Sequence, residues 1–225
     1  MATKVNNEKE ALRQENIEAT VSATEKFYNE NKKTIWAVVG GILVIFLAIL
    51  LYSKFIYQPK CAQAQKDAYP AELAFQQEEW DLALEGDGNN LGFYDIIDNY
   101  GTKAGKAVWF YAGVCELQRG NYQEALDALK KYKGKDSILA ARAIACQGDA
   151  YVGLDDVKSA VACFEKAAAS ADNVFAASYL LKAGVAYEAL GEAAKALACY
   201  EKIKDQYPQS IEAYDIAKYI ARVSE

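Results

Sequence analysis

The sequence has no histidine among its 225 residues. That removes the commonest general base, the commonest zinc ligand and any catalytic triad of the Ser/His/Asp kind. The five cysteines, Cys61, Cys115, Cys146, Cys163 and Cys199, are odd in number and none lies in a C-x₂-C spacing, so neither a metal knuckle nor a disulfide framework follows from them. Basic residues are in deficit as well. Residues 61–225 hold 17 Lys/Arg against 25 Asp/Glu, a net −8. An acidic segment without a basic stripe repels phosphate backbones, which excludes a nucleic-acid role and leaves proteins as partners. Phosphate and calcium loops are missing too. Gly86, Gly88 and Gly92 have neither a strand before them nor a Gly-Lys-Ser/Thr after them. Asp87, Asn89 and Asn90 lack the alternating oxygen ligands and the distant Glu of an EF-hand, so this loop reads as a connection between helices. No cofactor or metal is expected, and the chain reads as a non-enzyme.

Charge is also absent from twenty consecutive residues, TIWAVVGGILVIFLAILLYS, between Lys33 and Lys54. At about 1.5 Å per helical residue this run spans roughly the 30 Å of a bilayer core. It is apolar on every side, unlike the striped helix of a soluble protein. Trp36 and Tyr52 stand near its two ends, where aromatic rings favour the interface, and Lys32, Lys33 and Lys54 can snorkel. Gly40 and Gly41 permit close approach of another helix without forming a GxxxG pair. The nearest A-x-A, residues 62–64, lies too far downstream for signal cleavage, and Cys61 lacks the small apolar run of a lipoprotein site. Residues 34–57 are therefore expected to stay as a transmembrane anchor. Flanking positive charge is balanced, with Lys26, Lys32 and Lys33 against Lys54, Lys60 and Lys66, but Lys4, Lys9 and Arg13 tip it toward a cytoplasmic polar tail over 1–33. In that tail Leu12, Ile17, Val21 and Phe27 have partly helical spacing, which leaves a short amphipathic helix and a solvated irregular tail as alternatives.

Self-similarity dominates the remainder. Segments starting at Trp109, Ile144 and Leu180 align 35 and 36 residues apart. Gly113, Gly148 and Gly184 coincide, as do Ala125, Ala160 and Ala196, and the large residues Leu129, Phe164 and Tyr200 fall four after each alanine. This resembles the tetratricopeptide (TPR) pattern, a helix–turn–helix of 34 residues whose small positions let two helices cross closely. Gly120 and Gly191 mark the turns of the first and third copies, Asp155 stands at the turn of the second, and Glu116 stands where an aromatic residue is usual. The reading is an all-α fold, a TPR-type helical-repeat solenoid preceded by one transmembrane helix. Residues 58–104 are expected as a degenerate N-terminal helical pair and 105–209 as three TPR repeats. Residues 210–225 are expected as a capping helix, with Ser210 at its start and Ile211, Tyr214, Ala217 and Ile220 on its inner face.

In such arrays the first helix of each pair lines a groove. That face would carry Phe110, Val114 and Leu117 from the first copy, Arg142, Asp149 and Val152 from the second, and Leu181, Val185 and Glu188 from the third. Its mixed, largely apolar character suits an extended or helical protein segment, unless those residues pack under a neighbouring helix instead. The layout of polar tail, one span and acidic TPR domain resembles the YfgM-type ancillary proteins of the bacterial Sec translocon. The stretch GDGNNLGFYDIIDNYGTKAGKAVWFYAG is similar to TPR proteins of Bacteroidetes-like bacteria. The resemblance implies an inner-membrane protein with its N-terminus in the cytoplasm and its TPR domain in the periplasm. Its partners would be translocon subunits, periplasmic chaperones or exported chains. The alternative is a self-associating homo-oligomeric scaffold of an envelope or division complex.

Overall fold

The computed structural model describes residues 2–170 and 175–224, with side chains from residue 25 onward. Residues Met1–Pro59 and Lys60–Glu225 form separate units. In the first, helix α1 (Ala2–Tyr52) includes the polar tail and the apolar run, and a π-helical turn, Ser53–Tyr57, follows it. The side chains of Leu12, Ile17 and Val21 lie outside the described residues. Among those described, one helix is long and apolar enough to cross a membrane, and none of its apolar window is buried. A core helix of a soluble protein would be covered. Trp36 and Tyr52 are exposed, and the Trp36 indole N–H donates to the Tyr28 hydroxyl at 3.3 Å. Nothing lies within 4 Å of where a Cβ on Gly40 or Gly41 would sit.

Among the described residues of the second unit the regular elements are all helices, joined by short loops, with a single bridge between Gly86 and Leu91. Helix α2 (Gln58–Gln76) buries a stripe of small residues, Ala64, Ala68, Ala71 and Ala74. The apolar stretch 71–84 is broken in two: α2 ends at Gln76, Glu78 takes a φ of 61°, and α3 (Trp80–Glu85) starts afresh. The 86–91 loop that follows is held by Asp87. Its carboxylate accepts the backbone N–H of Asn89 at 2.8 Å and of Asn90 at 2.6 Å, and the Asn90 amide at 2.9 Å. These bonds, those from Asn90 first, hold the Asp87 carboxyl below its ordinary value. Helix α4 (Phe93–Tyr100) follows, so the segment expected as a helical pair holds three helices, its first half being split at Glu78. Phe75, Phe93 and Tyr111 meet with centroids 5.0–6.3 Å apart, which ties α2 and α4 to the next helix at the spacing aromatic pairs prefer.

Three antiparallel pairs follow: α5 (Ala107–Gln118) with α6 (Tyr122–Lys131), α7 (Ser137–Gly153) with α8 (Val157–Ser170), and α9 (Phe175–Ala189) with α10 (Ala193–Gln206). Consecutive helices pack on one another in chain order, as short connections in a solenoid require. Inside each pair a glycine of the first helix faces the large residue of the second. A Cβ on Gly113 would lie 2.6 Å from Leu129, on Gly148 2.5 Å from the Phe164 ring, and on Gly184 2.2 Å from the Tyr200 ring. The matching alanines, Ala125, Ala160 and Ala196, are fully buried. Small residues recur because two helix backbones cross there at close range.

At the turn inside each pair one residue is left-handed: Gly120 at φ 80°, Asp155 at 60° and Gly191 at 73°. A side chain disfavours this conformation, which glycine adopts freely. Asp155→Gly is therefore expected to raise stability by about 0.5–1 kcal/mol, the relief of strain being partly offset by a freer unfolded chain. Thermal melting of the two proteins measures it.

The C-terminal end departs from the sequence-based expectation. Ser210 accepts the Ala213 N–H at 3.3 Å and so caps only a 3₁₀ turn, Glu212–Tyr214, while the last helix, α11 (Ile216–Val223), begins later. This shift carries Ile216, Tyr219, Ile220 and Val223 onto the core and leaves Ile211 and Tyr214 in solvent. The helical spacing from 211 is genuine, but the chain is not yet α-helical there.

Candidate protein-binding groove

Helices α5, α7 and α9 present their outward faces side by side. Between them lies a cavity of about 400 Å³ whose walls include Val114 and Leu117 of α5, Ile138, Arg142 and Cys146 of α7, and Tyr179 of α9. A second cavity of about 380 Å³ is walled by Val152 of α7, Phe164 of α8, Leu181 and Val185 of α9, and Tyr219 of α11. Asp149 and Lys182 line both. Their side chains form an ion pair at 2.7 Å from α7 to α9, and the Lys182 ammonium also lies 5.7 Å from the centre of the Phe164 ring. The groove thus consists of one largely apolar hollow, beside Val152 and Val185, and one of mixed polarity, beside Arg142, which meet at one polar bridge.

Seven of the nine residues read from sequence line these hollows: Val114, Leu117, Arg142, Asp149, Val152, Leu181 and Val185. The other two do not. Phe110 is only 3% exposed and packs in the core with Leu129, Tyr132 and Ala143, because its side of α5 is covered by the neighbouring helices. Glu188 is engaged at the C-terminal end, where it accepts the Tyr200 hydroxyl and the Arg222 guanidinium, the latter at 2.7 Å. The Arg222 bond is the first cause of a Glu188 carboxyl held below its ordinary value. Sequence reasoning missed Ile138, Tyr179 and Lys182. Stepping back four residues from Arg142 reaches Ile138, and stepping back three from Val185 reaches Lys182, so the helical period held the signal.

Charge is distributed unevenly over this face. Arg142 is exposed and has no ion pair among the described residues, while Lys182 and Asp149 offset each other. The groove is therefore slightly cationic within an acidic domain. All five cysteines are free. Burial is the first cause that pushes the Cys146 thiol up to about 11 and the Cys115 thiol to about 12, so neither supplies a thiolate near neutrality.

One buried carboxylate joins the N-terminal pair to the repeats. Glu116, 3% exposed, accepts the Tyr94 hydroxyl of α4 and the Asn121 amide at 2.7 Å, with the Arg119 guanidinium 3.8 Å away. Arg119 also reaches Asp81 and Glu85 of α3, at 2.8 and 3.1 Å. Burial, followed by the bond to Glu116, raises the Tyr94 phenol above its ordinary value.

The comparisons bear on the repeat fold. The tetratricopeptide repeat family model matches residues 96–137 and 147–211. Among solved structures, one titled as the crystal structure of MamA protein superposes with a TM-score of 0.57 at 21% identity, covering 71% of this chain and 80% of that one. A second MamA crystal structure covers 59% of this chain and 82% of its own, with a TM-score of 0.45 and 21% identity. No curated protein matches the chain. The repeats are TPR repeats, a type of module that binds proteins.

Proposed function

We propose that this chain is a membrane-anchored adaptor of Sec-dependent export or periplasmic chaperoning. Its α5/α7/α9 groove would hold a segment of a translocon subunit, a periplasmic chaperone or an exported chain, with no catalytic turnover. Residues 34–57 would fix it in the bacterial inner membrane, with residues 1–33 in the cytoplasm and the TPR domain in the periplasm. The observation that carries the reading is the pair of hollows, one largely apolar and one mixed, that meet at the Asp149–Lys182 bridge. Paired hollows of this kind accept two apolar side chains of one partner segment and orient its polar backbone between them.

In-cell photocrosslinking from positions 152 and 185, both exposed, followed by mass spectrometry, tests groove, partner and side of the membrane together. Translocon subunits, periplasmic chaperones or exporting chains are the expected catch. Cytosolic partners alone would overturn the topology. The self-associating scaffold is the second reading, and Ile211 and Tyr214 favour it, since they stand 83% and 88% exposed at the C-terminal end.

A further inference from the structure

We propose that, when no client is bound, the groove of one copy is occupied by residues 211–215 of a second copy, so that self-docking and client binding exclude each other. This inference rests on the reading of the α5/α7/α9 face as a binding groove and identifies an occupant for it.

Ile211 and Tyr214 are the two most exposed large apolar residues among those described. They lie three apart on a 3₁₀ turn, a spacing that places side chains one above the other. The turn is held rigidly. Ser210 is buried and accepts the Ala213 N–H, the Tyr214 N–H donates to the Ile211 carbonyl at 3.2 Å, and Ala213 packs on the core. Ser210 before the knuckle and Ile216 after it are 2% and 3% exposed. The knuckle is therefore pinned at both ends and cannot fold into its own groove. A rigid exposed anchor loses little entropy on binding, whereas two large apolar side chains left in solvent gain by burial.

The charges match as well. Residues 205–216 hold Asp205, Glu212 and Asp215 and no basic residue. Asp215 is engaged by Lys218 at 2.7 Å, so Glu212, on the flank of the turn beside the two apolar side chains, is the carboxylate to meet Arg142. The groove offers the complement: one apolar and one mixed hollow, with Arg142 in the mixed one and the mutually offset Asp149 and Lys182 where the two meet. One knob of the knuckle enters each hollow, and the Glu212 carboxylate lies toward Arg142 at the mixed one. The contact is head to tail, so each copy retains one free groove or one free knuckle and the association can extend.

The test places a photoreactive phenylalanine at position 185 of the full chain in proteoliposomes and maps the crosslinked peptides. A covalent dimer joining 185 to a peptide within residues 207–218 is expected. In Ile211→Ser/Tyr214→Ser its yield should fall roughly tenfold, since two central anchors carry most of such an interface. Both positions face solvent, and an unchanged melting curve confirms that the variant is folded. Arg142→Glu should weaken the dimer, and adding Glu212→Arg should restore it. An undiminished dimer in the double serine variant, or a crosslink to any other segment, overturns the proposal. The same probe in proteoliposomes and in cells separates the two readings. Absence of the 207–218 crosslink in client-free proteoliposomes would refute self-docking alone, while residues 207–218 captured in cells without any other protein would refute the adaptor alone.

Discussion

Gly184→Val is expected to lower stability by about 3 kcal/mol, the upper range for forcing bulk into a packed core. In a domain of this size that corresponds to a melting temperature lower by roughly 6–12 °C. Valine is the better helix former by several tenths of a kcal/mol, so backbone preference alone predicts the opposite sign. The steric term wins because even the first carbon of the new side chain would sit 2.2 Å from the Tyr200 ring. Tyr200 has nowhere to retreat: it is fully buried, its hydroxyl is bonded to Glu188, and its ring lies 5.3 Å from that of Tyr219. The damage should therefore spread to α11, which contributes Tyr219 and Arg222 to the same corner. A double-mutant cycle with Gly184→Ala and Tyr200→Leu isolates the contact, because trimming the ring should make the added methyl less costly than in the parent. Equal costs in both backgrounds would mean that the glycine is there for some reason other than close crossing.

Glu116→Ala should be about as harmful, also near 3 kcal/mol, by a different route. The substitution leaves the Tyr94 hydroxyl and the Asn121 amide, both part-buried, without their acceptor, and each costs toward the lower end of about 1–3 kcal/mol. Arg119 retains Asp81 and Glu85, so no isolated charge is stranded. Glu116→Tyr is the informative control. Tyrosine occupies the equivalent place in the second and third copies, as Tyr151 and Tyr187, and Tyr187 there donates to Glu165 at 2.6 Å. If Glu116 serves only to fill the repeat position, tyrosine should be tolerated. If it anchors Tyr94, tyrosine should fail in the melting curve and should loosen α4 in hydrogen exchange.

The repeats were legible because their signal is periodic. Gly113, Gly148 and Gly184 recur at fixed spacing, each opposite a large residue, and no property of the remaining chain is needed to see it. The apolar run from residue 34 was legible for a similar reason, since length and lack of charge are local properties. The groove was legible in part. Val152 and Val185 lie exposed on the outward face, but Phe110 and Val114, read from the same helical pattern, are buried together, because only the packing of α5 against its neighbours decides which flank is covered. The C-terminal cap shows the same division. Ile211, Tyr214, Ala217 and Ile220 have sound helical periodicity, yet residues 212–214 form a 3₁₀ turn, and the face that reaches the core starts at Ile216.

The sequence by itself thus determined the helical class, the TPR repeat and its period, the apolar helix and the acidic character of the domain, all of which depend on residues near one another in the chain. The tertiary structure alone decided that Asp149 and Lys182 meet across 33 residues, that Glu116 binds Tyr94 of an earlier helix, and that Ile211 and Tyr214 remain uncovered. Side-chain exposure and pairing depend on which helix lies alongside, and that choice is made by the combined packing of many elements, not by any local run of residues.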